Sequence, residues 1–108
     1  MNKRDSLLFV VYVIKAGEYV KVGIAEDVLK RLQVFRTHCP MPVSLAYCSK
    51  AILRPEARKI ELECHGHLLL SHVHGEWFKV DASIAVSFLA SVIDRKDEPV
   101  PSQLRLVS

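Results

Sequence analysis

Five side chains in this sequence have types and spacings that invite chemistry: Tyr12, Lys21, Arg31, Glu61 and His65. Tyr12 lies in an apolar run, Leu7–Ile14, and Lys21 in a second run, Tyr19–Ile24, where Val20, Val22 and Ile24 alternate with Tyr19, Lys21 and Gly23. The short break Lys15-Ala16-Gly17-Glu18 makes the two runs a β-hairpin. An even-numbered loop centred on Ala16-Gly17 pairs Ile14 with Tyr19 and sets Tyr12 directly opposite Lys21, whereas a one-residue slip would send them to opposite faces. A phenol beside an ammonium is biased towards phenolate, which makes Tyr12 a candidate general base or water-positioning group. Arg31 follows on the next helix and is suited to forked contact with anionic oxygens. Glu61 breaks the pattern of its helix, because a carboxylate at a core position is costly unless it is paired or holds a metal. His65 stands one turn beyond Glu61 on a neighbouring face, as an acid–base partner or an orienting group.

The elements that must position these groups follow from periodicity and punctuation. Leu7–Ile14 is rich in Val and Ile and reads as a strand buried on both faces. Asp27 is placed to cap a helix running to about Thr37, with Val28, Leu32 and Phe35 on one stripe and Arg31 at its edge. Cys39-Pro40-Met41-Pro42 ends that helix and forces extended chain. Val43 to Ile52 then supplies a third strand. Leu53-Arg54-Pro55-Glu56 has the form of a helix start, and the helix is expected to reach about Leu70. Its inner face is Ala57, Ile60, Cys64 and Leu68 at helical spacing, with Glu61 inside the same arc. His72-Val73-His74-Gly75-Glu76 reads as a turn, Trp77–Val80 as a short aromatic strand, and Asp81 as the cap of a last helix from Ala82 to Ile93. The expected architecture is a small α/β domain over residues 7–93, a three-stranded and largely antiparallel sheet flanked by helices. Residues 94–108 read as a charged, Pro-containing linker and a tail.

Composition bounds the function classes. The chain of 108 residues is one domain, and 50% hydrophobic with 25% charged residues excludes both disorder and a membrane-spanning reading. No apolar run approaches the ~20 residues a spanning helix requires. Asn2-Lys3-Arg4 before the first apolar run resembles a signal peptide only faintly, because Asp5 interrupts the flank and the run ends in charge. Three cysteines, Cys39, Cys48 and Cys64, form no disulfide framework and point to a reducing cytoplasm. A net charge of +3 and a pI near 8.9 suit a polyanionic partner without requiring one.

The ordered set VVY, KVG, an Arg eight residues after the Gly, a helical Glu and GEWF resembles the GIY-YIG nuclease superfamily, and within it the compact branch of phage-type and related DNA-binding proteins. The first motif's tyrosine corresponds to Tyr12, the second motif's glycine to Gly23 in KVGIAEDVLKRL, and the family arginine to Arg31. The metal-binding glutamate corresponds to Glu61 in IELECHGHL, and the closing aromatic motif to Gly75, Trp77 and Phe78 within GEWF. The Gly and Ile of the first motif are Val10 and Val11 here. Lys21 replaces the second tyrosine, and no counterpart of the asparagine that many members carry is evident.

The resemblance implies a divalent-metal-dependent DNA endonuclease or nickase. Hydrolysis of a phosphodiester needs a deprotonated nucleophile, positive charge on the phosphoryl oxygens and a stabilised leaving alkoxide. Glu61 would hold Mg2+ or Mn2+, a hard cation that keeps most of its water shell. Lys21, Arg31 and Arg36 would contact DNA phosphates, and Lys21, Arg31 and His65 would join Tyr12 in catalysis. A domain this small has little surface for base readout, so self-association as a homodimer or a protein partner would supply specificity. The rival on the same scaffold is a DNA-binding module that no longer cleaves. Each residue also has an ordinary reading: Tyr12 as a core aromatic, Lys21 as a solvated strand residue, Arg31 as a surface side chain packing its stem, and Glu61 as the buried acid of a structural ion pair. A separate cluster, Cys64, His65, His67, His72 and His74, suggests a zinc staple, although CxxH followed by HxH is no recognised finger spacing. Trp77 and Phe78 read as core anchors rather than a base-stacking platform.

Overall fold

The computed structural model describes residues 7–97. Its first two elements are the expected hairpin, β1 (Leu8–Ala16) and β2 (Tyr19–Ala25), and Val11 to Ile14 are all buried as a strand covered on both faces requires. Its register differs from expectation. Gly17 adopts φ 63°, so Gly17-Glu18 closes the hairpin alone and Lys15 and Ala16 stay in the ladder. Ala16 therefore faces Tyr19, Ile14 faces Lys21, and Tyr12 faces Gly23 rather than Lys21. The slip is two residues, which preserves the face of every side chain. Tyr12 and Lys21 remain on one side of the sheet as diagonal neighbours.

Helix α1 (Val28–His38) begins at Asp27, whose Oδ1 accepts the Lys30 amide at 3.1 Å. Beyond the Pro40–Pro42 stretch the single strand expected over Val43–Ile52 is two, β3 (Val43–Cys48) and β4 (Ile52–Leu53), both antiparallel to β1. Buried Ser49 makes the break: its amide donates to the Val11 carbonyl at 2.9 Å while its hydroxyl accepts the Val11 amide at 2.9 Å. Ser49 thus continues the pairing with β1 one residue past the end of β3, while the β1–β3 register shift lies further along β1, between Val13 and Ile14.

Helix α2 (Arg54–His67) carries Pro55 in its first turn and buries Ala57, Ile60, Glu61 and Cys64. It stops at His67, short of the expected Leu70, and a 3-10 turn (Leu69–Ser71) follows. The residues read as a turn instead form β5 (His72–His74), which pairs with β6 (Trp77–Lys79) around Gly75-Glu76, Gly75 lying at φ 56°. Three residues are too few for alternation to announce a strand. Helix α3 (Ala82–Asp97) continues past the expected end at Ile93.

The sheet is therefore six-stranded and antiparallel, not three-stranded, ordered β3-β1-β2-β6-β5 with β4 also on β1. It separates two cores. Val11, Val13, Val20, Val22 and Phe78 pack with Ala57, Ile60 and Cys64 of α2 and with Ala85, Leu89 and Ile93 of α3. Tyr12, Ile14, Ala16 and Ala25 pack on the other side with Leu32 of α1 and with Val43, and Phe35 and Trp77 close that cluster. No helix among the described residues is long and apolar enough to cross a membrane. The signal-peptide flank at residues 2–5 and the tail at residues 98–108 lie outside the described residues.

Candidate functional site

The short length of β6 makes the site. β6 pairs with β2 only from Tyr19 to Lys21, so Gly23 to Ala25 lie on a stretch of β2 that β6 does not cover. Groups from the two faces of the sheet meet at this gap. From the α1 side comes Tyr12, fully buried, whose ring runs across to Gly23. A Cβ on Gly23 would lie 2.6 Å from the Tyr12 hydroxyl and 3.2 Å from Glu76 Oε1, so both oxygens border the space that the glycine leaves open. From the α2 side comes Glu61, 1% exposed, held by Arg58 Nη1 at 2.8 Å.

Glu76, in the β5–β6 turn, links the two sides. Its Oε1 accepts from Lys21 Nζ at 2.8 Å, and its backbone carbonyl accepts the Val22 amide at 3.3 Å. Lys21 is half-buried with its amine 5.4 Å from the Phe35 ring centroid and 5.8 Å from that of Trp77, two aromatic contacts that favour a cation there. The Glu61 and Glu76 carboxyls act on each other's protonation. Burial raises the Glu61 carboxyl above the usual range, the Arg58 bond opposing and Glu76 adding to the rise. Burial works in the same direction on Glu76, but the bond and charge of Lys21 hold it below that range. The pair is thus asymmetric, with the negative charge favoured on Glu76.

Tyr12 departs from the expected phenolate. Burial pushes its pKa up to about 12, Arg31 opposing and Glu76 and Glu61 reinforcing the rise. Lys21 does not offset this because its charge is engaged by Glu76. The Tyr12 hydroxyl is buried with no hydrogen bond of ordinary length among the described residues, the Arg31 guanidinium being a longer polar contact. It is therefore a neutral O–H held ready to donate or accept, and its use as a base requires added positive charge nearby.

His65 Nε2 lies 2.9 Å from the Val22 carbonyl, an acceptor, so Nε2 carries the proton. This bond ties α2 to the uncovered edge of β2, and the ring also packs on Phe78 at 5.2 Å. His65 thereby positions Glu61. Arg31 is exposed and lines an open depression with Ala25, Glu26, Asp27, Lys30 and Val34, yet its guanidinium reaches the Tyr12 hydroxyl closely enough to oppose the rise in its pKa. Arg36, also exposed, spends its Nε on the Val43 carbonyl at 3.2 Å and lies with β3 rather than at the gap. Trp77 and Phe78 project to opposite cores, and Gly75 provides the turn.

The zinc constellation does not assemble. Among the described residues no three His, Cys, Asp or Glu side chains form a metal-holding group. Cys64 is in the core with its thiol pushed up to about 12 by burial, His67 stacks on Phe88 at 4.5 Å, and His72 bonds the Gly75 carbonyl at 2.8 Å. A hard divalent cation is a different matter. Mg2+ and Mn2+ are commonly held by one or two carboxylates and water. Two adjacent carboxyls beside an unpartnered buried hydroxyl offer oxygen donors only, and a divalent charge would relieve their mutual repulsion.

Glu76 was not singled out by the sequence pattern, although it lies within GEWF. Its signal was the coupling of an acid in a Gly-led turn to a strand whose register puts the turn beside Lys21. That pairing is visible only once β5 is recognised. A family model described as the T5orf172 domain matches residues 10–94. No curated protein and no solved structure matches the chain.

Proposed function

Because the chain belongs to the T5orf172 domain family, a phage-associated domain found in some GIY-YIG-like and HNH nucleases, we propose that it is a divalent-metal-dependent DNA endonuclease or nickase. The observation that carries this reading is the gap on β2 where Tyr12, Glu61 and Glu76 converge from both faces of the sheet. Glu61 is paired with Arg58 and Glu76 with Lys21, yet a structural core gains little from setting two acids side by side next to a hydroxyl with no close partner.

The roles follow from placement. Glu61 would hold Mg2+ or Mn2+, which supplies positive charge to the phosphoryl and leaving oxygens. Arg31, exposed at the rim, binds phosphate oxygens and adds the positive charge that eases Tyr12 towards deprotonation. Tyr12 orients a water through its free hydroxyl and accepts its proton when the local charge permits. His65 holds the helix that carries Glu61 through its bond to Val22. Lys21, in place of the family's second tyrosine, steadies the site through Glu76.

That same ion pair favours a second reading, a DNA-binding module that does not cleave, since Lys21 offers no phenol and its charge is already engaged. Supercoiled plasmid incubated with the protein and Mg2+ or Mn2+, beside Glu61→Ala, separates the two. Metal-dependent nicking lost in Glu61→Ala supports the nuclease. Salt-sensitive binding with no nicking on any DNA form supports the binder.

A further inference from the structure

We propose that Glu76 is a second carboxylate of the divalent-cation site, and that Lys21 is the resident counter-ion which the cation replaces. This deepens the nuclease reading and rests on it. Three independent placements point to Glu76. Its Oε1 lies 3.2 Å from the Cβ position missing at Gly23, and the Tyr12 hydroxyl lies 2.6 Å from the same point, so both oxygens look into one space. The Tyr12 hydroxyl is fully buried and makes no hydrogen bond of ordinary length among the described residues, with Arg31 a longer contact. The Lys21 ammonium meets Glu76 Oε1 at 2.8 Å and lies 5.4 and 5.8 Å from the Phe35 and Trp77 ring centroids.

The chemistry of the arrangement selects the ligand class. The Glu61, Glu76 and Tyr12 donors are oxygens, the preference of Mg2+ and Mn2+ rather than of zinc or copper. Each acid has one cation, Lys21 on Glu76 and Arg58 on Glu61, the latter reaching in from the exposed side of α2. A divalent ion supplies two positive charges and can contact both carboxyls. Release of Lys21 from Glu76 frees its amine for a phosphate. Replacement of a tyrosine by Lys21 in this branch then has a reason: the lysine holds the second carboxylate in place until the cation arrives.

Mn2+ titration by isothermal calorimetry, with thermal melts in parallel, tests the assignment on wild type, Glu61→Gln, Glu76→Gln, Lys21→Met and the Lys21→Met/Glu76→Gln pair. Loss of either carboxylate is expected to weaken Mn2+ affinity by about tenfold or more, and Lys21→Met to strengthen it by removing the competitor. The double variant leaves no unpaired charge if Glu76→Gln alone folds poorly, and it is expected to bind as weakly as Glu76→Gln. Wild-type affinity in folded Glu76→Gln or in the double variant, with loss in Glu61→Gln, overturns the role of Glu76 and leaves the nuclease reading intact. Weaker binding by Lys21→Met overturns the counter-ion exchange. A folded wild-type protein that binds no Mn2+ at all removes the metal-dependent reading itself.

Discussion

Gly23→Ala offers a measurement of how tightly the gap is built. The added methyl would stand 2.6 Å from the Tyr12 hydroxyl, 2.8 Å from Tyr12 Cζ and 3.2 Å from Glu76 Oε1. Non-bonded heavy atoms prefer about 3.5–4.0 Å, so the end of the phenol must withdraw by roughly 1 Å. It has little room, because Tyr12 is fully buried among Ile14, Leu32 and Val43. Overpacking of this kind costs about 1–3 kcal/mol. The stiffer unfolded chain of alanine returns some 0.4–1 kcal/mol. The net loss should be about 1–2 kcal/mol, or roughly 5–15 °C in Tm for a domain of this size. Urea unfolding and thermal circular dichroism would read it directly. In a Tyr12→Leu background the clashing atoms are absent and the penalty should vanish, which makes the pair a double-mutant cycle. A wild-type cost below about 0.5 kcal/mol, or an equal cost in both backgrounds, would refute the account of this glycine.

Other outcomes can be checked with little material. Tyr12→Phe removes a buried hydroxyl that has no partner, so metal-free Tm should stay level or rise, by up to the equivalent of about 1 kcal/mol, while metal-dependent nicking falls. Asp81 caps α3 by accepting the Ser83 amide at 2.9 Å, and that bond holds its pKa below 3.8. A depressed folded-state pKa means stabilisation that is complete at neutral pH and lost as pH falls through the folded value. Asp81→Ala should therefore lower Tm near neutral pH and make progressively less difference in acid, as paired melts would show. Among the thiols, exposed Cys48 should react with a chromogenic disulfide in the native protein, whereas Cys64 should react only on unfolding, its pKa pushed up to about 12 by burial.

Much of this arrangement was legible in the residues because it rests on local rules. The apolar hairpin, the Asp27 cap, Pro55 at the start of α2 and the inward arc that includes Glu61 all follow from periodicity and punctuation. What escaped depended on contacts distant in sequence. The hairpin register turned on whether Gly17 alone could close the loop, a choice between two conformations that composition permits equally. The division of β3 from β4 needed the reach of Ser49 to Val11. β5 was hidden because three exposed residues, His72 to His74, have no apolar alternation, and with β5 unseen the turn that delivers Glu76 to Lys21 was unseen too. The zinc reading failed for a related reason: proximity along the chain placed Cys64 and the histidines in different environments.

The early end of β6 has one more implication. An enclosed cavity admits a polymer only by threading a free terminus, whereas an indentation in the rim of a sheet can receive one broadside, anywhere along its length. Under the proposed function, the three-residue strand beside Lys21 would therefore suit the domain to interior linkages of a long duplex rather than to its ends. Closed circles should then be substrates as good as linear fragments.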